Sequence, residues 1–225
     1  MRKLISTLSF VALLLSLPIS VNAEVKEIQT AATQPTDPIG QVIASNLMTN
    51  FSDGKFYPER LISRAELASI MVKAFRLNKR INLPKESITV ADVPPSHWAY
   101  NDIQTVLKTD IMRGYRNNLF FPNQRVTRAE AMAIFAQAYG VFQFPDETVN
   151  EILAAYPDKA SIPEWAKRAI ATVISEGFAS TDAQGNLLPL KPMTRGEMAY
   201  LLSQYLQRQQ KLPDTPIAPE APPTR

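Results

Sequence analysis

Apolar residues recur three and four positions apart in three well-separated stretches. They are Leu67, Ile70, Met71, Ala74, Phe75; then Met132, Phe135, Ala136, Tyr139; then Met198, Leu201, Leu202, Tyr205, Leu206. That period gives each stretch the buried face of an α-helix, and such stripes are core rather than binding surface. Ahead of each stands a hydroxyl residue with a glutamate three positions on: Ser63–Glu66, Thr127–Glu130 and Thr194–Glu197. This is the capping-box signature of a helix start. A second, shorter stripe (Ala99, Ile103, Val106, Asp110-Ile111) predicts another helix. It is broken by the turn-rich segment Arg113 to Gln124, with Gly114, Asn117, Asn118 and Pro122. The pattern predicts an all-α protein of helix-loop-helix units. Asn82–Ser87 and Asp146–Ala155 read as linkers, the second with a short helix through Val149, Ile152 and Leu153.

The units are copies of one another. Residues 98–130 align with 165–197 at a constant offset of 67, pairing Trp98 with Trp165, Ile103 with Ile170 and Pro122 with Pro189. Residues 50–77 align with 114–141 at an offset of 64, preserving Phe56, Pro58, Arg64, Ala65 and Glu66. Three copies result, the first worn at its start, where Gln34 takes the place of Trp98. Repeats of this size are units that bury their core only by stacking on neighbours.

The ends differ from the repeats. Residues 1–23 carry Arg2 and Lys3, an apolar run from Leu4 to Leu17 and a small-residue site at Val21-Asn22-Ala23, the layout of a secretory signal peptide cut after Ala23. No cysteine follows that run, so a diacylated lipoprotein is not expected. Residues 209–225 form a Pro-rich tail expected to be extended and unpacked.

Composition narrows the chemistry. The 225 residues hold no cysteine and one histidine, His97. A disulfide framework and a thiolate metal site are therefore ruled out, and a His-rich zinc site or a Ser-His-Asp triad is poorly supplied. No metal and no cofactor is expected. Of the 24 lysines and arginines, two lie in the leader, which has no acid, so the remainder sets 22 basic against 21 acidic residues. Near-neutrality speaks against a nucleic-acid partner. A glycosidase would need two carboxyl groups set about 5 to 9.5 Å apart in a cleft. The sequence sets out no such pair beyond the box glutamates, so no catalytic residue is assigned.

Each box holds one residue that capping leaves unexplained: Arg64, Arg128 and Arg195. A cation at the first helical position opposes the helix dipole by a few tenths of a kcal/mol, so its threefold recurrence calls for a task. One is an anion pocket at the helix start, where a guanidinium grips a carboxylate in a bidentate manner. The other is a structural pair with an acid of the neighbouring unit, such as Asp92 or Asp158. Trp98 and Trp165 follow prolines at the start of the other helix, where core filling is the expectation and stacking on a sugar the alternative. His97 reads as an exposed or capping residue, and Thr181–Asn186 as a turn that lacks the acidic spacing of a calcium loop.

These residues resemble S-layer homology (SLH) repeats. The second copy carries Asp92, His97-Trp98, Gly114-Tyr115, Phe120, Pro122 and Thr127-Arg128-Ala129-Glu130; the third carries Asp158, Trp165, Pro189 and Thr194-Arg195-Gly196-Glu197, with Thr181-Asp182 replacing Gly-Tyr; the first keeps Asp53-Gly54, Phe56, Pro58 and Ser63-Arg64-Ala65-Glu66. The repeats are placed at 28–78, 89–141 and 145–208, the last including the linker helix. The resemblance implies a pseudo-threefold, three-pronged helical module that binds secondary cell-wall polysaccharide attached to peptidoglycan. In the family, grooves between repeats take a pyruvylated sugar. That places the carboxylate contact on Arg64, Arg128 and Arg195, and groove lining on Trp98 and Trp165. It also implies a non-catalytic protein of the periplasm, cell wall or cell surface. A second partner class is an outer-membrane or other envelope protein. The alternative function is a protein–protein adapter whose repeat arginines are structural.

Overall fold

A computed structural model describes residues 37–79 and 86–211. The leader, the start of the first repeat including Gln34, most of the first linker and residues 212–225 lie outside the described residues. Seven α-helices are described: α1 (Pro38–Ala44), α2 (Arg64–Phe75), α3 (Tyr100–Lys108), α4 (Arg128–Tyr139), α5 (Asp146–Ala154), α6 (Lys167–Ser175) and α7 (Arg195–Lys211). The described residues form no β-sheet, only isolated bridges.

Each repeat contributes a short lead helix (α1, α3 or α6) and a box helix (α2, α4 or α7). The box helices start where the capping signature puts them. In α2 and α4 the hydroxyl accepts from the third helical amide while the glutamate accepts from the cap amide. Thr194 and Glu197 make the same reciprocal pair at the start of α7. The predicted stripes are buried: Leu67, Met71, Met132, Phe135, Met198 and Leu202 are at most 1 % exposed. The helix expected in the second linker is α5, which buries Val149 and Leu153. α7 continues to Lys211, three residues beyond the expected edge of the third repeat.

A box helix packs chiefly on the lead helix of the next repeat. α2 lies on α3, α4 on α6, and α7 returns to α1. The segments just before the boxes close the same circuit. Ile62 donates its amide to the Met193 carbonyl, Val126 to Ile62, and Met193 to Val126, at 2.9, 3.3 and 2.9 Å. These are equivalent positions in the three copies, and all three side chains are buried. Below them Phe75, Phe135, Tyr139, Phe178 and Tyr205 meet edge to face, joining the ends of the box helices.

Candidate functional site

At every box the first two helical amides are already used. Arg64 and Ala65 donate to the carbonyls of Gln124 and Pro122, Arg128 and Ala129 to Lys191 and Pro189, and Arg195 and Gly196 to Arg60 and Pro58. The third amide is held by the capping hydroxyl. The helix starts therefore have no such donors left for an anion, which corrects the expectation of a pocket built on the helix end. Only the guanidinium remains.

Each guanidinium reaches into the loop of the next repeat. Arg64 donates from Nε to the Phe120 carbonyl and from Nη2 to the Arg113 carbonyl, both at 2.8 Å. Arg128 does the same to Leu187 (2.6 Å) and Ser180 (2.5 Å). Arg195 closes the circuit on Phe56 (3.0 Å) and Thr49 (2.7 Å). All three residues are buried, at 7, 3 and 6 % exposure. Burial pushes the Arg64 and Arg195 pKa values down from the usual arginine range. The expected acid partners, Asp92 and Asp158, are engaged elsewhere. Asp92 accepts from the Phe120 and Phe121 amides, and Asp158 from Leu187 and Leu188. For two of the arginines the acid partner is instead the box glutamate of the repeat they reach: Arg128 pairs with Glu197 at 3.0 Å and Arg195 with Glu66 at 3.5 Å.

The three sites differ in how much of the guanidinium is committed. Arg128 Nη1 also bonds the Ser180 hydroxyl, so all three of its nitrogens have partners and Nη1 has two. Arg195 Nη1 has only the longer contact to Glu66. Arg64 has neither a hydroxyl nor an ion pair at Nη1. Among the described residues no buried side-chain nitrogen lacks a partner, so that Nη1 is open to solvent. Aromatic rings flank these two guanidinium groups. The Arg64 guanidinium lies 4.8 Å from the Tyr115 ring centre and 4.5 Å from Phe120, and Arg195 lies 4.7 and 4.5 Å from Phe51 and Phe56. In the third copy those ring positions are Asp182 and Leu187.

Two grooves follow, each assembled from all three repeats. The first, about 230 Å³, has a floor from repeat 1 (Phe51, Glu66, Ser69, Lys73), Trp98 from repeat 2 and Arg195 from repeat 3. The second, about 330 Å³, has a floor from repeat 2 (Tyr115, Glu130, Gln137), Trp165 from repeat 3 and Arg64 from repeat 1. Trp98 and Trp165 are 65 and 63 % exposed, which corrects the core-filling expectation. Both follow proline-led turns that finish just before α3 and α6, and so stand at the groove rims. His97 caps its own turn, accepting from the Ala99 amide and stacking on Trp98. By the repeat alignment, the equivalent third position would combine Arg128, Asp182, Glu197 and Tyr200.

The Thr181–Asn186 segment is the turn it was read as, with Asp182 accepting from the Gln184 and Asn186 amides. Among the described residues no group of His, Asp or Glu has the arrangement to hold a metal ion. No described helix is long and apolar enough to cross a membrane. The sandwiching rings and the second role of the box glutamates were not anticipated. Their signal was present in the aromatic pairs Phe51/Tyr115 and Phe56/Phe120, which the repeat alignment places at matching positions.

Comparison with known proteins agrees with this architecture. The S-layer homology domain matches three times, at residues 31–68, 91–132 and 155–199, together more than half of the chain. The chain is 25 % identical to a surface-layer 125 kDa protein of Lysinibacillus sphaericus across 92 % of its own length and 17 % of that protein. It is 26 % identical to a cellulosome-anchoring protein of Acetivibrio thermocellus (72 % of this chain, 35 % of that one). A middle cell wall protein of Brevibacillus brevis is 27 % identical over 62 % of this chain and 14 % of its own. The chain thus spans about a third or less of these relatives. Three matched repeats, each with its box arginine anchored in the loop of another, make this chain a member of the S-layer homology domain family.

Proposed function

We propose that this protein is a non-catalytic anchoring module of the cell envelope. It holds acidic, pyruvylated wall polysaccharide in the grooves carrying Arg195 with Trp98 and Arg64 with Trp165. The observation that supports this most directly is a guanidinium that is not fully committed lining the same groove as an exposed indole, at two equivalent places: Arg195, with only a 3.5 Å contact at Nη1, and Trp98, and Arg64, with no ion pair, and Trp165. A carboxylate accepts from that edge while a sugar ring lies on the indole. A charge-assisted contact of this kind is worth about 1.5–3 kcal/mol, so one groove binds modestly and two on one polymer gain by avidity. Its place is outside the cytoplasm, on wall material, as with the surface-layer and cell-wall relatives.

The third position favours a different reading for its arginine. With Ser180, Leu187 and Glu197 all on the Arg128 fork, and Asp182 holding negative charge beside it, it serves as a structural clasp. That is the role the adapter reading gives all three. Co-sedimentation of the mature protein with purified sacculi separates the two. Wild type should pellet with intact sacculi and not with sacculi stripped of polysaccharide. Trp98→Ala with Trp165→Ala, both rim substitutions, should abolish pelleting while leaving the fold intact. Pelleting that ignores the polysaccharide or survives the double substitution overturns the groove reading, and no pelleting with either preparation supports the adapter reading with an envelope protein as partner.

A further inference from the structure

α7 is 17 residues long, whereas α2 and α4 have 12. By the repeat alignment α2 and α4 end opposite Leu206, so Gln207 to Lys211 are an overhang of this copy alone. α7 packs on α1, and between the segment that follows α1 (Ser45, Leu47), the end of α2 and the end of α7 lies a cavity of about 610 Å³, to which the overhang contributes Gln209. Its lining includes Ser45, Phe75, Tyr205, Leu206 and Gln209. Leu47 and Lys73 line both this cavity and the Arg195 groove, so the two are neighbours that share a wall. Its size lies within the range of small-molecule sites, about 300–1,000 Å³.

We infer that the Arg195 groove is one end of a longer track, and that the α7 overhang builds a second subsite. That subsite takes the next sugar residues of the same polymer, which pass two exposed cations of its lining, Lys73 and Arg76. This rests on the proposed polysaccharide reading of the grooves. A sugar ring presents an apolar C–H face and a rim of hydroxyls. The cavity offers both counterparts: Phe75, Tyr205 and Leu206 for the face, Ser45 and Gln209 for the rim. Lys73, exposed in the last turn of α2, lines both spaces and offers a second cation beside Arg195 for an acidic substituent. The Arg64 groove has Gln137 where Lys73 stands, and α2 stops too early to wall a matching extension.

The test uses the mature protein carrying Trp165→Ala, so that long fragments cannot bridge two grooves. The probes are wall polysaccharide fragments released by mild acid and sized to one repeating unit or to four or more, with binding measured by calorimetry. Long fragments should bind about tenfold more tightly than single units, a difference of roughly 1.4 kcal/mol. Gln209→Trp and Ser45→Trp obstruct the cavity from two exposed lining positions on different elements. Each should erase the length advantage and leave single-unit affinity and the melting temperature unchanged. Retention of the advantage in both variants, or equal loss for short and long fragments, overturns the subsite. Failure of either fragment to bind the Trp165→Ala protein at all overturns the polysaccharide reading beneath it.

Discussion

A buried guanidinium costs several kcal/mol to desolvate unless its donors are met, and each box arginine meets that cost differently. Arg128 has two carbonyls, a hydroxyl and Glu197. Its removal strands all of them, so Arg128→Ala should lower unfolding free energy by about 3–5 kcal/mol. Arg64 holds two carbonyls and two rings, and Arg64→Ala should cost about 1–3 kcal/mol; urea unfolding of the two variants checks the order. If Arg64→Ala proves the more damaging, the open edge of Arg64 is not what distinguishes it. Tyr139 gives a pH signature. Burial and its hydrogen bond to Glu176 push its pKa up to about 12, above its ordinary value of 10. Its stabilisation is fully present below pH 10 and is lost as the phenol ionises on the way to pH 12. Melting temperatures of Tyr139→Phe should therefore fall less steeply than those of wild type across that window.

At the scale of elements, the loops ahead of the boxes carry the tension of the design. Tyr57, Phe121 and Leu188 each precede a proline and each adopt a left-handed backbone, φ 52, 56 and 52°. For a residue with a side chain that costs about 1–2 kcal/mol. It is held in repeats 2 and 3 by an aspartate accepting two successive amides on one side and by an arginine taking a carbonyl on the other. Asp92→Ala should release the Phe120–Phe121 turn, cost about 1.5–3 kcal/mol, and raise amide exchange at those two residues first. The helices themselves were legible: a capping box and a 3.6-residue stripe are local signals, and both landed on α2, α4 and α7. The tryptophans were not, because Trp98 and Trp165 sit on turns whose direction is set by Pro95 and Pro163 and by the following helix, not by their own surroundings in sequence. Nor could the sequence assign Asp92 and Asp158 to backbone amides 28 to 30 residues away.

Across the whole molecule, the repeat count was readable but the circuit was not. Nothing local in the sequence says that Arg195 bonds Phe56 and Thr49, 139 and 146 residues back. The closing joint carries a mark of its own. Gly196 stands where the other copies have Ala65 and Ala129, and a Cβ there would lie 3.0 Å from Pro58 Cβ and 3.1 Å from its carbonyl oxygen. Gly196→Ala should therefore destabilise, by about 1–3 kcal/mol as overpacking does, despite the better helix propensity of alanine; a rise in melting temperature would show that the joint has slack. The hydrogen-bonded cycle of Ile62, Val126 and Met193 also fixes the valence of the assembly. An open solenoid can gain or lose a repeat at either end, because its last unit always leaves an edge to build on. Here each of these residues both gives and receives, so a fourth copy would find no vacant seat. On the proposed function, greater wall affinity would then be reached by altering what the existing grooves hold, not by lengthening the array.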